Sequence, residues 1–297
     1  NLFSQLGINA FHLMQRELYL DIKWNGSLEW SSTMRDQEKL IESVNELQSY
    51  PKYTPTSLIG HKKAKKLEPH INFKGNENII FSKADGAIDP KDAISKMIEA
   101  IKKNGGSVLY PCKFERIIES NDSFSKVKTS MGILKSENVI FCNGVDVDNS
   151  FNIDFLKKPR PGVIIKTKPQ KNLINSVVYG PKIHAHQQSN GQIIIGEQIT
   201  APIKKNTKDH IKRINKHFNS MVKGGTDLNP SEVLIGWRPI PKDDLPIIGK
   251  FKNKSVYIAV MHSGISLAAI VGNLVTQEIV DEVDSLLLKD FRPSRFF

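Results

Sequence analysis

The chain has 297 residues, 39% hydrophobic and 25% charged, a balance that suits a folded globular protein with one large core or two ordinary ones. The longest apolar run, 267–275, contains Gly272 and Asn273 and is too short to span a bilayer, and the start lacks the basic and apolar regions of an export signal. The net charge is +11, from 42 Lys and Arg against 31 Asp and Glu, but the lysine pairs are scattered and not interleaved with aromatics. That pattern favours a solvated surface over a nucleic-acid site.

The first twenty residues read as a helix with Leu6, Phe11, Leu13, Met14 and Leu18 on its apolar side. Residues 21–24 and 27–30 flank Asn25-Gly26, which predicts a hairpin through a type I′ turn. A charged helix over 35–49 follows, with Leu40, Ile41, Val44 and Leu47 inward, and then loops and a short basic helix ending near Leu67-Glu68-Pro69. Asp89-Pro90 opens another helix, Asp89 as N-cap and Pro90 at the first helical position. Its buried face is Ala93, Ile94, Met97, Ile98 and Ile101, and Asn104-Gly105-Gly106 ends it. Strands are expected at 107–110, 113–119 and 126–134, and at Val139–Asn143, whose unbroken apolar character predicts cover on both faces. Cys112 and Cys142 lie in apolar runs with no CxxC or Cys/His spacing, so two reduced, buried thiols, a cytoplasmic setting and no metal site are expected. From 162 to 196 the pattern is β, with a turn at Asn190-Gly191, and residues 207–222 form an amphipathic helix. Then comes a strand ending in Gly236-Trp237-Arg238-Pro239, a turn at Asp243-Asp244, a strand over 256–260, and a helix that begins after Ser263-Gly264.

Several of these pieces, in this order, resemble the D-amino-acid oxidase, glycine oxidase and sarcosine oxidase superfamily of FAD-dependent amine oxidoreductases. They are Gly86-Ala87-Ile88-Asp89-Pro90 with its helix, Val139–Gly144, Asn190–Gly196, Gly236–Pro239, Leu245–Gly249, His262–Leu267 and the closing Phe291–Phe296. The resemblance implies a mixed α/β fold in which a Rossmann-like FAD-binding domain, residues 81–154 and 236–297, interleaves with an antiparallel-sheet substrate domain, residues 1–80 and 155–235. It also implies oxidation of the C–N bond of an amino acid or N-methylated amine, with hydride passing to flavin N5. No GxGxxG loop, which would seat the FAD pyrophosphate at a helix N-terminus, occurs in the sequence. The chain is therefore expected to lack the family's N-terminal βαβ unit, and a non-catalytic fragment or subunit that does not retain FAD alone is the alternative.

By the same resemblance Arg238 clamps the substrate carboxylate. On the residues alone, an arginine between Trp237 and Pro239 looks buried and needs an anion, and Asp243 or Asp244 would serve as a structural partner. Ser263, Gly264, Ile265, Ser266 and Leu267 are expected to meet the flavin ring at the positive end of a helix, with Ser263 or Ser266 as its cap. His262 either lines the substrate pocket or satisfies a backbone carbonyl. His184 falls where relatives place a substrate-contacting aromatic and shares a strand face with His186. Phe114 matches a position whose backbone meets adenine, sheet packing being its plain alternative, and Gly144 lets the chain pass close to the cofactor. No acid–base pair is apparent. The partners expected are a small amine or amino acid and a missing N-terminal segment, with neither nucleic acid nor membrane.

Overall fold

The computed structural model describes residues 2–48, 56–197, 207–225 and 230–297. In chain order the elements begin α1 (Leu2–Leu18), β1 (Ile22–Lys23), β2 (Ser27–Trp30), α2 (Met34–Gln48), β3 (Thr56–Ile59), α3 (His61–Leu67), β4 (Ile79–Ser82), β5 (Ala87–Ile88) and α4 (Pro90–Lys103). Next come β6 (Phe114–Ser120), β7 (Ser125–Thr129), β8 (Gly132–Ser136), β9 (Val139–Phe141), α5 (Val147–Phe151), β10 (Arg160–Thr167), β11 (Val177–Tyr179), β12 (Ile183–Gln187) and β13 (Ile193–Glu197). The chain closes with α6 (Thr207–Met221), β14 (Pro230–Arg238), β15 (Ile247–Phe251), β16 (Asn253–Val260), α7 (Gly264–Val280) and two short 3-10 turns, Leu286–Phe291 and Pro293–Phe296. It divides into two compact units, residues 1–8, 12–96 and 161–236, and residues 9–11, 97–160 and 237–297.

The first unit is built on an eight-stranded sheet in the order β14-β10-β13-β12-β11-β2-β4-β3. Strand alternation sends Leu28, Val178, Ile183, Ala185, Ile193, Ile195 and Ile165 to one face, where they form a core with Ile214 and Phe218 of α6 and with Ala64 and Ile71. Two buried carboxylates have donors from the chain itself. Glu68 accepts from the amides of Asn175 and Ser176 and from the Ser176 hydroxyl, and Glu77 from the amides of Lys74 and Gly75. Burial pushes the Glu68 carboxyl up, and those bonds only partly offset it.

The second unit holds the sheet β15-β16-β9, the meander β6-β7-β8 and α7. Its core is aromatic: Phe151 packs edge-on against Phe141 and Phe251, and Phe155 against Phe251 and Phe296. The closing residues dock into this core, where the Arg292 guanidinium pairs with Glu278, buried on α7, at 2.5 Å and 2.8 Å. The Tyr257 hydroxyl donates to the same carboxylate. Burial alone would raise the Glu278 pKa; the bonds from Arg292, Tyr257 and the Ser285 amide outweigh it and hold it below the usual range.

Several expectations are corrected. The hairpin at Asn25-Gly26 does not form: β1 pairs with β5, and β2 lies between parallel β11 and antiparallel β4. Gly26 has the positive φ of 77°, but Asn25 does not, so no type I′ turn closes. The glycine instead gives room, since a Cβ there would stand 2.7 Å from the Phe81 ring. Residues 107–110 are not a strand, having no strand neighbour among the described residues. The run 126–134 is two strands joined by a turn at Ser130-Met131, with Gly132, at φ 130°, opening the second. β9 is an edge strand with Ile140 exposed, not covered on both faces. On α4, Ala93 is buried but Ile94 and Ile101 are exposed, whereas the caps are as expected: Asp89 Oδ1 accepts the Lys91 amide at 2.9 Å, and Gly105 takes φ 82° beyond the last turn. Both thiols are free, Cys142 exposed and Cys112 half-buried. Residues 49–55, where the charged helix meets the loops, lie outside the described residues.

Candidate functional site

In the second unit β9 and β16 are parallel, so their C-terminal ends lie at the same end of the sheet. β9 runs into Asn143-Gly144 and β16 into Met261-His262. In open α/β sheets, ligands bind beyond such carboxyl ends. Gly144 has φ 58°, and a Cβ on it would lie 3.8 Å from the ring of Pro239, so the Arg238-Pro239 segment passes beside it. An open cleft of about 610 Å³ at the same end is lined by Ile240, Asp244, Pro246, His262, Ser263 and Leu267.

α7 starts here. Residues His262 to Ser266 are exposed, and Leu267 is the first of its residues to turn into the core, with its amide on the Ser263 carbonyl at 3.1 Å. Ser263 stands at the N-cap, yet its side chain makes no capping bond, and Ser266 lies within the first turn. The amides of Gly264, Ile265 and Ser266 therefore have no carbonyl one turn back and point out of the helix end.

Arg238 is half-buried, less deeply than its apolar neighbours in sequence suggested, because Leu234, Ile235 and Trp237 are themselves exposed. Neither proposed structural partner reaches it. Asp243 is held by Arg295 through contacts of 2.6 and 3.1 Å, which keep its carboxyl below the usual range, and Asp244 by Lys157 at 2.5 Å. No carboxylate of the described residues forms an ion pair with Arg238. Phe114 sits at the start of β6 with its ring edge-on to Phe141 at 5.0 Å, so its side chain packs the core. Asn143 Oδ1, next to Gly144, is buried with no hydrogen-bond partner among the described residues.

In the first unit His184 and His186 share the sheet face opposite the core, as expected from their spacing, since Ile183, Ala185 and Gln187 between and around them are buried. The His184 ring occupies the place where a side chain at residue 196 would stand: a Cβ on Gly196 would lie 2.1 Å from it. His184 is 6.0 Å from the Tyr179 ring.

The family model described as "DAO: FAD dependent oxidoreductase" matches residues 2–278. The chain belongs to this family. Among curated relatives, the DAO-family chain is 24% identical over 190 residues to the bifunctional protein ThiO/ThiG of Trichormus variabilis, an alignment covering 61% of this chain and 29% of that protein. The match to the Synechocystis protein of the same name is 22% over 222 residues. The chain thus spans about a third or less of the length of these relatives, 29% and 33%. Among solved structures, glycine oxidase from Geobacillus kaustophilus superposes with a TM-score of 0.88 at 16% identity over 99% of this chain and 83% of that one. L-proline dehydrogenase from P. horikoshii gives 0.85 at 20% identity over 99% and 82%. These likenesses show the mixed α/β fold.

The family's cofactor is FAD. Three features of the second unit fit a flavin: amides at the start of α7 with no carbonyl one turn back, an Asn143 Oδ1 without a partner among the described residues, and a glycine turn at the carboxyl end of β9.

Proposed function

We propose that these residues carry out flavin-dependent oxidation of the C–N bond of an amino acid or N-methylated amine. The observation that carries the reading is the Arg238 guanidinium, which pairs with no carboxylate of the described residues and stands on the segment beside Gly144. Solved relatives named glycine oxidase, L-proline dehydrogenase and L-amino acid deaminase support the substrate class and leave its member open. In this reading residues 97–160 and 237–297 receive the cofactor.

Bound FAD would supply the two-electron acceptor, with N5 as the atom to which the substrate's hydride would pass. Arg238 binds the substrate carboxylate with a bidentate fork and so fixes which face of the carbon is presented. The amides of Gly264, Ile265 and Ser266 give a positive end that favours negative charge at the pyrimidine edge of the ring. Leu267, buried below them, anchors that end of α7, and His262 borders the cleft. Phe114, through its backbone, and Gly144 line the adenosine side. On the first unit His184 is the candidate for substrate contact. No protein base is assigned: the amine reacts in its neutral form, and positioning carries the rate.

A second reading is favoured by one observation, the absence of GxGxxG from the 297 residues. The chain would then be a non-catalytic piece or subunit that holds FAD only with a segment supplying that loop. A visible spectrum of the purified chain, before and after FAD addition and desalting, separates the two. Retained flavin bands with turnover of an amine panel support the first reading; bands lost on desalting sink it and support the second.

A further inference from the structure

We propose that a small cleft at the end of β12 is a binding site for an ammonium group, the free ion or the head of a primary amine, with Gln188 and His186 as its acceptors. The cleft lies within the first unit, and the proposal does not rest on the amine-oxidation reading above.

Three pieces of chain build the cleft. β1 and β5 are antiparallel, with Ile22 opposite Ile88 and Lys23 opposite Ala87, so Asp21 and Asp89 stand at the same end of that ribbon. β12 ends at Gln187 and runs into the turn at Asn190-Gly191. There the Gln188 amide donates to the Gln192 carbonyl at 2.8 Å, and the Gly191 amide to the Gln188 carbonyl at 3.0 Å. The backbone of Gln188 is thus satisfied, and its side chain is what remains. The Ser189 hydroxyl donates to Asp21 Oδ1 at 3.0 Å and ties the turn to the ribbon. Asp21, Asp89, His186 and Gln188 all border the space between, about 10 Å³, which takes the centre of one water-sized group.

Two polar atoms at this place lack a partner. Gln188 is 8% exposed, yet its Oε1 makes no hydrogen bond among the described residues, and neither does the buried Nε2 of His186. The adjacent Gln187 shows how a buried amide is ordinarily met. Its Oε1 accepts the amides of Leu173 and Ile174, and its Nε2 donates to the carbonyls of Gln170, Lys171 and Gly191. A buried amide oxygen left bare is costly, so the Gln188 oxygen points to a donor from outside the chain.

Charge selects that donor. Among the described residues that border the cleft, the carboxylates of Asp21 and Asp89 stand against one cation, Lys23, whose Nζ is tied to the Gln187 carbonyl at 3.1 Å. An anion is therefore disfavoured. His186 is neutral at ordinary pH, since burial first and then His184 bring its pKa to about 4, with Asp89 opposing and Lys23 adding to the fall. In one of its two tautomers Nε2 is then a bare acceptor. The described residues bring no three His, Cys, Asp or Glu side chains together for a metal ion. A water fills the space but brings lone pairs of its own, which acceptors do not satisfy. An ammonium group has the same size, carries the required charge and only donates. On the amine-oxidation reading the ion has a source as well: a primary amine oxidised at its C–N bond becomes an imine, and water splits the imine to a carbonyl compound and ammonia, which is protonated at neutral pH.

The test is calorimetric titration of the purified protein with ammonium chloride, methylammonium chloride and sodium chloride, each in tetramethylammonium chloride of matched ionic strength, a cation with no N–H to donate. The expected result is saturable binding of ammonium, about tenfold or more tighter than sodium. Methylammonium bound as well as ammonium identifies the head of a primary amine as the group recognised, and ammonium bound alone identifies the free ion; either result supports the site. Gln188→Leu, which removes the bare oxygen, and Asp89→Asn, which keeps a helix cap and removes the charge, are each expected to weaken ammonium binding by about tenfold. No saturable heat, sodium bound as tightly as ammonium, or an affinity unchanged in both variants would each overturn the proposal, the last two outcomes pointing to a non-selective cation effect and the first to a bound water. The wild-type comparison stands even where a variant does not fold. Binding is read without flavin or turnover. Failure of the oxidation reading shows as ammonium bound and no amine oxidised; failure of this proposal shows as no selective ammonium binding, whatever the turnover.

Discussion

At the scale of single residues, the arginine was legible in the sequence and its partner was not. A guanidinium between Trp237 and Pro239 demands an anion, but which of Asp243, Asp244 or a ligand answers depends on Arg295 and Lys157, far along the chain, which take both aspartates. Arg238→Ala is expected to lower kcat/KM for a carboxylate-bearing amine by at least a hundredfold, chiefly through KM, while leaving the flavin spectrum intact; steady-state kinetics with and without the carboxylate on the substrate checks this. His186 gives a pH prediction. Burial first, and then His184, lower its pKa from the ordinary 6.5 to about 4, Asp89 opposing. The unfolded chain therefore takes up the proton first as pH falls, so the contribution of His186 to stability declines from about pH 6.5 down to about pH 4, by up to roughly 3 kcal/mol, and changes no further below. Chemical denaturation across that range should show the slope in the wild type and lose most of it in His186→Leu. His186 was visible in the sequence as one of two histidines on a strand face; its unpartnered nitrogen was not, because that depends on what packs around it.

At the scale of elements, what is local was legible. Asp89-Pro90 and Gly105-Gly106 bracket α4 because caps act within one turn, and the turn at Asn190-Gly191 joins β12 to β13. What is distant was not: β2 is parallel to β11 and antiparallel to β4, and nothing in residues 27–30 names either neighbour. The aromatic core of the second unit is likewise a meeting of remote segments. Phe155, fully buried, touches Phe251 and Phe296 and so ties the α5 region to β15 and the closing turn. Phe155→Ala is expected to cost about 3–5 kcal/mol, read as a lower midpoint in urea. The pairing of Arg292 with Glu278 works at the same scale. Arg292→Ala leaves a buried carboxylate without its cation and should cost about 3–5 kcal/mol at neutral pH. Because the folded Glu278 pKa is depressed, that contribution is present above the ordinary carboxylate range. It is lost as pH falls through the folded value, so the gap between variant and wild type narrows in acid.

For the whole molecule, composition set the class and the spaced motifs set the family, while the excess of positive charge says little about partners. Surface lysines are interleaved with acids: Lys91 with Glu232, Lys126 with Glu119, Lys242 with Asp154 and Lys250 with Asp284. Any association with duplex DNA is therefore expected to vanish between 50 and 200 mM salt, about the range in which counterion release dominates, and fluorescence anisotropy would show it. The sheet β15-β16-β9 carries a different consequence. Among the described residues β9 ends the sheet, so one side of Val139–Phe141 has its peptide groups unpaired, with Ile140 turned outward. Such a border is adhesive: it templates the addition of any extended, apolar segment, another copy of itself included, and self-association of this protein at high concentration would begin there.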